Sequence, residues 1–194
     1  LGFDVSKFQV ILYQWVRFKK SSEIIKMSKR SGTFITAREV LGEVGAPAVR
    51  FFILMHEPNS HLDFDLELAK KKSQDNPVYY VQYAHARISS ILKKAKVGGS
   101  PDLALLNKPE EIALIKHLIK FPELVEGITK DYSVHHLTRY AISLADLFHR
   151  FYEECRVISD DKVLTVARLA LVRATQTVFQ NTLYLLGIAA PERM

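Results

Sequence analysis

Cysteine is nearly missing from this chain. Its 194 residues contain one, Cys155, so no disulfide framework and no cysteine-based zinc site can form within it. That usage fits a reducing, cytoplasmic compartment. Long apolar runs are missing too: none reaches the ~18 uncharged residues of a membrane span, and no signal peptide opens the sequence. Internal repeats and low-complexity tracts are also lacking. Hydrophobic residues nevertheless make up 48% of the chain, which suffices for a substantial core and speaks against disorder. The length accommodates one large domain, or one domain with part of another. The chain starts at Leu1-Gly2-Phe3-Asp4 as though inside a longer protein, and the expectation is a portion of one.

Acidic residues are scarce at the start. Residues 1–30 hold seven of the 27 Lys/Arg but two of the 21 Asp/Glu, so most of the net charge of +6 sits there. A milder bias follows near the end: between Lys162 and Pro191 the charged residues are Lys162, Arg168 and Arg173, with no acid. Either region could meet a polyanion, and the later one also reads as a solvated helix face. The basic excess culminates in Lys26-Met27-Ser28-Lys29-Arg30-Ser31-Gly32. Lysine brings a point charge on a long arm, serine a short hydroxyl, and glycine lets backbone N–H groups approach, a combination suited to gripping phosphate oxygens. By itself the pattern fits a solvated basic loop equally well.

Period-two patterning over residues 7–18, with Phe8, Val10, Leu12, Val16 and Phe18 on one face and Ile11, Tyr13 and Trp15 on the other, predicts a strand covered on both sides. Lys19 to Glu23 reads as a turn, and Ile24-Ile25 as a short return strand. Thr36 and Glu39 form a capping box, with Ile35 and Val40 as a hydrophobic staple, for a helix ending near Gly45. Pro47 suits the first turn of the next helix. His61 to Asp65 reads as a short extended piece, after which Asp65 caps a short helix. Asn76-Pro77 is an N-cap with proline at the first helical position. That helix is expected to end near Lys96, before Gly98-Gly99. A further helix presents Ile112, Ile115, Leu118 and Ile119 on one side and stops at Pro122. A short one then runs to Lys130. Ser133 is expected to cap a long helix through Leu137, Leu144 and Phe151, and Asp160 the last one, to Gly187. Residues 188–194 form a non-helical tail.

Tyr79, Tyr83 and Arg87 recur every four residues and share one helix face. Flat π-faces and a guanidinium are what single-stranded RNA recognition asks for. The same spacing also serves a half-buried tyrosine stripe against neighbouring helices, although Val78, Val81, Ile88, Ile91 and Leu92 already supply a core face. The seven histidines show no metal-ligand spacing, and the adjacent His135 and His136 are expected to point apart as structural or surface residues. Cys155 reads as a core cysteine. Asp63 and Asp65 read as loop-capping carboxylates rather than a catalytic pair.

The stretch from Ile25 to Gly32 resembles the second signature loop of class I aminoacyl-tRNA synthetases, Lys-Met-Ser-Lys-Ser, with Arg30 at the fifth position. Its Lys-Met-Ser-Lys-Arg-Ser-Gly form resembles the arginyl-tRNA synthetase family. So do Arg50-Phe51-Phe52, Ser60 to Asp65, Asn76 to Arg87, and the ending Ala190-Pro191-Glu192-Arg193-Met194. The resemblance covers essentially the whole chain. It implies a mainly α fold: an all-helical anticodon-binding bundle over 74–194, preceded at 1–73 by a small α/β remnant of the class I catalytic domain. It implies that Lys26 and Lys29 are catalytic, and that Lys26, Met27, Ser28 and Lys29 bind ATP, used with magnesium in the intact enzyme. It places tRNA contacts on Tyr83, Arg87 and Met194, to which helical spacing adds Tyr79. The implied partners are an arginine tRNA, arginine and ATP, with no membrane, and the expected state is a cytoplasmic monomer. The family's His-x-Gly-His signature is absent, so the portion is expected to be inactive alone. Two other readings are the helical domain of a different class I synthetase and a non-catalytic helical interaction module.

Overall fold

The computed structural model describes residues 2, 4–5, 8–20, 23–25 and 35–194. Lys26, Met27, Ser28, Lys29 and Arg30 lie outside the described residues.

Strand β1 (Val16–Lys20) pairs antiparallel with β2 (Glu23–Ile24) and parallel with β3 (Leu62–Asp65). The parallel register sets Phe18 beside Phe64 and sets Arg17 and Lys19 opposite Asp63 and Asp65. Side chains alternate across a strand, so the two phenylalanines share the core side, where their rings are 5.5 Å apart. The charges share the other side as Arg17–Asp63 and Lys19–Asp65 pairs at 2.6 and 3.2 Å. The extended piece ending at Asp65 is thus a strand, and the return strand is present. The strand expected over 7–18 is not. The strand begins at Val16 and takes in Lys19 and Lys20, the start of the expected turn, while residues 8–15 have no regular structure. Phe8 and Trp15 are 74% and 82% exposed. A segment that is apolar on both faces forms a strand only where neighbours supply ladder partners and cover, and among the described residues those partners reach β1 alone.

Helix α1 (Ala37–Val44) carries the expected capping box: the Thr36 hydroxyl accepts from the Glu39 N–H, and Glu39 accepts from the Thr36 N–H. Gly45, at φ 81°, ends it. Helix α2 (Ala46–Leu54) buries Ala48, Phe51 and Phe52, with the Phe52 ring 5.5 Å from Phe64. Asp65 caps α3 (Leu66–Lys70) by accepting from the Leu68 N–H. Buried Asn76 then makes the joint to the bundle. Its amide oxygen accepts from Val78 and Tyr79, and its NH₂ donates back to the carbonyls of Ala69 and Lys71.

Helix α4 (Pro77–Lys94) packs against α2, α7 (His135–Glu154) and α8 (Lys162–Leu185). Val81, Ala84 and Ile88, wholly buried, form its core stripe. Each large apolar side chain so buried contributes about 1.5–3 kcal/mol. A 3-10 turn at Leu103–Leu105 leads to α5 (Pro109–Ile119) and α6 (Phe121–Asp131). Buried hydroxyls inside the bundle donate to their own helix: Ser89 to His85, Thr175 to Leu171 and Thr182 to Val178. The mainly helical class is therefore as expected.

Five local expectations need correction. Helix α4 ends at Lys94 with Ala95 as its cap, short of the glycine pair. Of the expected α5 face, Ile115 and Leu118 pack half-buried against the core and Ile112 is half-buried, but Ile119 is exposed; the deepest positions are Leu114 and Glu111, a buried carboxylate in an apolar position. Ser133 does not cap α7: its side chain as well as its N–H bonds to Asp131, beside the left-handed Tyr132, no side chain caps the helix, and the cap position falls to Val134. The cap of α8 is Asp161, which accepts from the Leu164 N–H, not Asp160. Last, the His135 and His136 rings lie 4.1 Å apart. The separation of about 100° between adjacent helical positions does not keep two flat rings from converging at a helix start.

Candidate nucleic-acid interface

The Asn76 cap fixes where α4 starts, and the four-residue spacing does the rest. Tyr79 and Tyr83 stack with centroids 6.3 Å apart and planes 9° from parallel. His149 of α7 continues the row, 6.1 Å from Tyr83. One turn on, the Arg87 guanidinium lies 5.8 Å from the Tyr83 ring centre and 4.4 Å from that of Tyr152. A guanidinium held between two aromatic faces is ordered before any ligand arrives, which lowers the entropy cost of binding. His149 is held below the ordinary imidazole range, by burial first and then by the Arg87 charge. A neutral ring therefore backs Tyr83.

The other edge is the tail. Chain direction changes at Gly187, φ 67°, where an added Cβ would lie 2.6 Å from Arg50 Nε. That nitrogen donates to the Leu186 carbonyl at 3.1 Å. Residues 189–192 then cross α4. Gln82 donates to the Ala189 carbonyl at 2.9 Å, and Lys93 pairs with Glu192 at 2.6 Å. His85 Nδ1 meets the Pro191 carbonyl at 2.8 Å, and since a carbonyl only accepts, Nδ1 is the donor. These contacts set Arg193 and Met194 beside Tyr83 and Arg87.

Between α4, the end of α7, the following turn and the tail lies an open cleft of about 930 Å³. Arg87, Lys94, Arg156 and Arg193 line it against one acidic side chain, Glu153, with Tyr83, Tyr152 and Met194 as its less polar surfaces. The expected residues Tyr83, Arg87 and Met194 are thus brought together. Tyr79 extends the stack but is not among the lining residues. Lys94, Tyr152, Arg156 and Arg193 escaped sequence reasoning. Lys94 lies seven residues after Arg87, a repeat of the same face that was there to be read. Tyr152 and Arg156 come from another element, and periodicity within α4 says nothing of them. Cys155, beneath the turn, is wholly buried, and burial pushes its thiol up. Among the described residues, no group of three His, Cys, Asp or Glu side chains could hold a metal ion, and no helix is long and apolar enough to cross a membrane.

A helical bundle presenting a basic, aromatic-lined cleft defines a class of nucleic-acid-binding domain, and the comparisons agree with it. The chain belongs to the DALR anticodon binding domain family, whose profile matches residues 81–194. Along its full length it is 49% identical, over 201 residues, to the arginine–tRNA ligase of Moorella thermoacetica, covering 36% of that protein. Its fold superposes on the arginyl-tRNA synthetase of Thermus thermophilus with a TM-score of 0.71 at 33% identity, over 86% of this chain and 29% of that one. The arginyl-tRNA synthetase of Plasmodium falciparum gives 0.68 at 26% identity, over 78% and 27%. The chain spans about a third of the length of the curated relatives it matches.

Proposed function

We propose that this chain is the portion of an arginine–tRNA ligase that grips the anticodon region of its tRNA. The observation that carries the reading is the Tyr83–Arg87–Tyr152 arrangement, facing the Arg193–Met194 tail across a basic cleft. Unstacked bases find π-faces there, phosphates find Arg87, Lys94, Arg156 and Arg193, and the mixed result is a site for a single-stranded loop. Met194 offers a thioether and Tyr79 a further ring at the margin.

In the intact enzyme, the arginine carboxylate attacks the α-phosphate of ATP, supplied with magnesium, and pyrophosphate leaves. The tRNA's terminal ribose hydroxyl then attacks the carbonyl of the resulting arginyl adenylate, giving up its proton, so that the arginyl group passes to the tRNA and AMP leaves. Lys26 and Lys29 meet the charge that builds on the leaving phosphates, Lys29 most directly. Ser28 donates to nucleotide or backbone, and Met27 anchors the loop. Residues 1–73 belong to the catalytic end and 74–194 to the tRNA-binding bundle, with Asn76 at the joint. The compartment is the cytoplasm and the working state a monomer.

Changing Tyr83 and Arg87 to alanine, singly and together, tests the reading. Loss of stacking should cost about 1–3 kcal/mol per base in titrations with an arginine tRNA transcript. A double variant that stays folded and binds as tightly as the wild type would refute it.

A further inference from the structure

The cleft wall opposite α4 is the turn between α7 and α8, which carries Arg156. Arginine on an irregular turn has no helix to fix its direction. Its own Nε donates to the Ile158 carbonyl at 3.1 Å within the turn, a bond that aims the guanidinium only where the turn backbone is held, and what holds that backbone lies underneath. Arg168 of α8 and Glu111 of α5 are buried, with Arg168 Nε donating to Glu111 Oε1 at 2.7 Å. The second arm of the same guanidinium, Nη1, donates at 2.8 Å to the backbone carbonyl of Arg156. Glu111 Oε2 accepts from the Lys108 N–H at 3.0 Å, and Lys108 Nζ donates to the Glu154 carbonyl at 3.3 Å. The network thus ties down the two carbonyls on either side of Cys155.

A buried ion pair is a weak stabiliser, because desolvation offsets most of the attraction, and apolar residues of similar volume often serve a core as well or better. Apolar residues could not hold a peptide carbonyl. We propose that Glu111 and Arg168 are positioning residues for RNA binding. They hold the 154–156 backbone so that the Arg156 guanidinium points into the cleft, without touching the ligand. This rests on the reading of the cleft as the tRNA site.

The experiment uses the full 194-residue chain and an arginine tRNA transcript, titrated over a series of salt concentrations. Arg156→Ala should weaken binding about fivefold or more and lower the slope of log affinity against log salt by about 0.7–0.9, one phosphate contact. The Glu111→Leu/Arg168→Met pair should stay folded, since apolar residues replace the buried charges, and yet reproduce both changes. Adding Arg156→Ala to that pair should change nothing further, because coupled residues are not additive. Should the pair fail to fold, Arg168→Lys replaces it: one ammonium keeps the partner for Glu111 but cannot span both acceptors, and the same slope loss is expected. Wild-type affinity and slope in whichever of these variants folds overturn the proposal. Arg87→Ala separates the two levels. If Arg87→Ala and Arg156→Ala both leave affinity unchanged, the reading of the cleft itself falls. If they lower it and the buried variants do not, the positioning role alone falls.

Discussion

Phe8 and Trp15 in the opening segment stand in solvent, whereas Phe148 and Phe179 in the bundle are wholly buried. Both regions are rich in large apolar side chains, so composition does not separate them. What separates them is whether the partners that the pattern calls for are present. Helices α4, α5, α7 and α8 close on one another and leave Leu114, Leu144 and Leu183 without exposed surface. The sheet has three short strands, and the aromatic residues ahead of β1, Phe8, Tyr13 and Trp15, stay largely exposed. An apolar pattern is therefore a statement about what a segment needs, and the two regions meet that need unequally.

The comparison can be broken most sharply by truncating one phenylalanine from each region. Phe179→Ala should cost about 3–5 kcal/mol, through lost transfer energy and a cavity. Phe8→Ala should stay within about 0.5 kcal/mol, as at an ordinary surface site. Urea midpoints at constant slope would show it, and similar losses at both positions would mean that the opening segment is covered after all.

The joint comes next. Asn76→Ala removes the cap of α4 and leaves the Ala69 and Lys71 carbonyls without their donor, an effect on the order of 2–4 kcal/mol. Denaturation followed separately near Trp15 and in the bundle should then lose its coincidence. A single shared transition in the variant would argue against Asn76 as the link.

A smaller effect concerns acid. His117, His135 and His149, all in the bundle, are each held below the ordinary imidazole range, with burial as the leading cause. A lowered folded value means that the unfolded chain takes up protons first as pH falls. Stability is then full above the ordinary value near about 6.5 and is lost as pH drops through the folded values. The thermal midpoint should decline from pH 7 to pH 5, and His149→Gln should flatten the decline. A midpoint level across that window would remove these histidines from the account.

The smallest effect belongs to the sheet. Asp63→Ala breaks the exposed Arg17 pair and should cost about 0–1 kcal/mol, less at high salt.

Much of this was legible in the residues, and the boundary follows physical range. Caps act over three residues, so Thr36 with Glu39, Asp65, and Asn76 with Pro77 could be read directly. Helical spacing is equally local and put Tyr79, Tyr83 and Arg87 on one face. Two caps fall elsewhere than expected where neighbours compete: Asp131 draws the Ser133 side chain as well as its N–H, and Asp161 rather than Asp160 meets the Leu164 N–H in a turn where the Ser159 N–H donates to Thr165. Long-range facts were out of reach. Glu111 reads as a surface acid until Arg168, on another helix, is known to lie beside it. Tyr152 and Arg156 join the site through the packing of α7 on α4, which no single helix encodes. The strand expected over 7–18 failed for the same reason, since strand formation depends on partners elsewhere.

The central claim is that the cleft gives this chain a preference for arginine tRNAs. Retaining a total tRNA pool on the immobilised chain at a fixed, stated salt concentration and sequencing what stays bound tests it most directly. Arginine tRNAs should be enriched over the input, and the enrichment should be lost when Tyr83 and Arg87 are both alanine. Retention of all tRNAs in proportion to their abundance by the wild-type chain would contradict it.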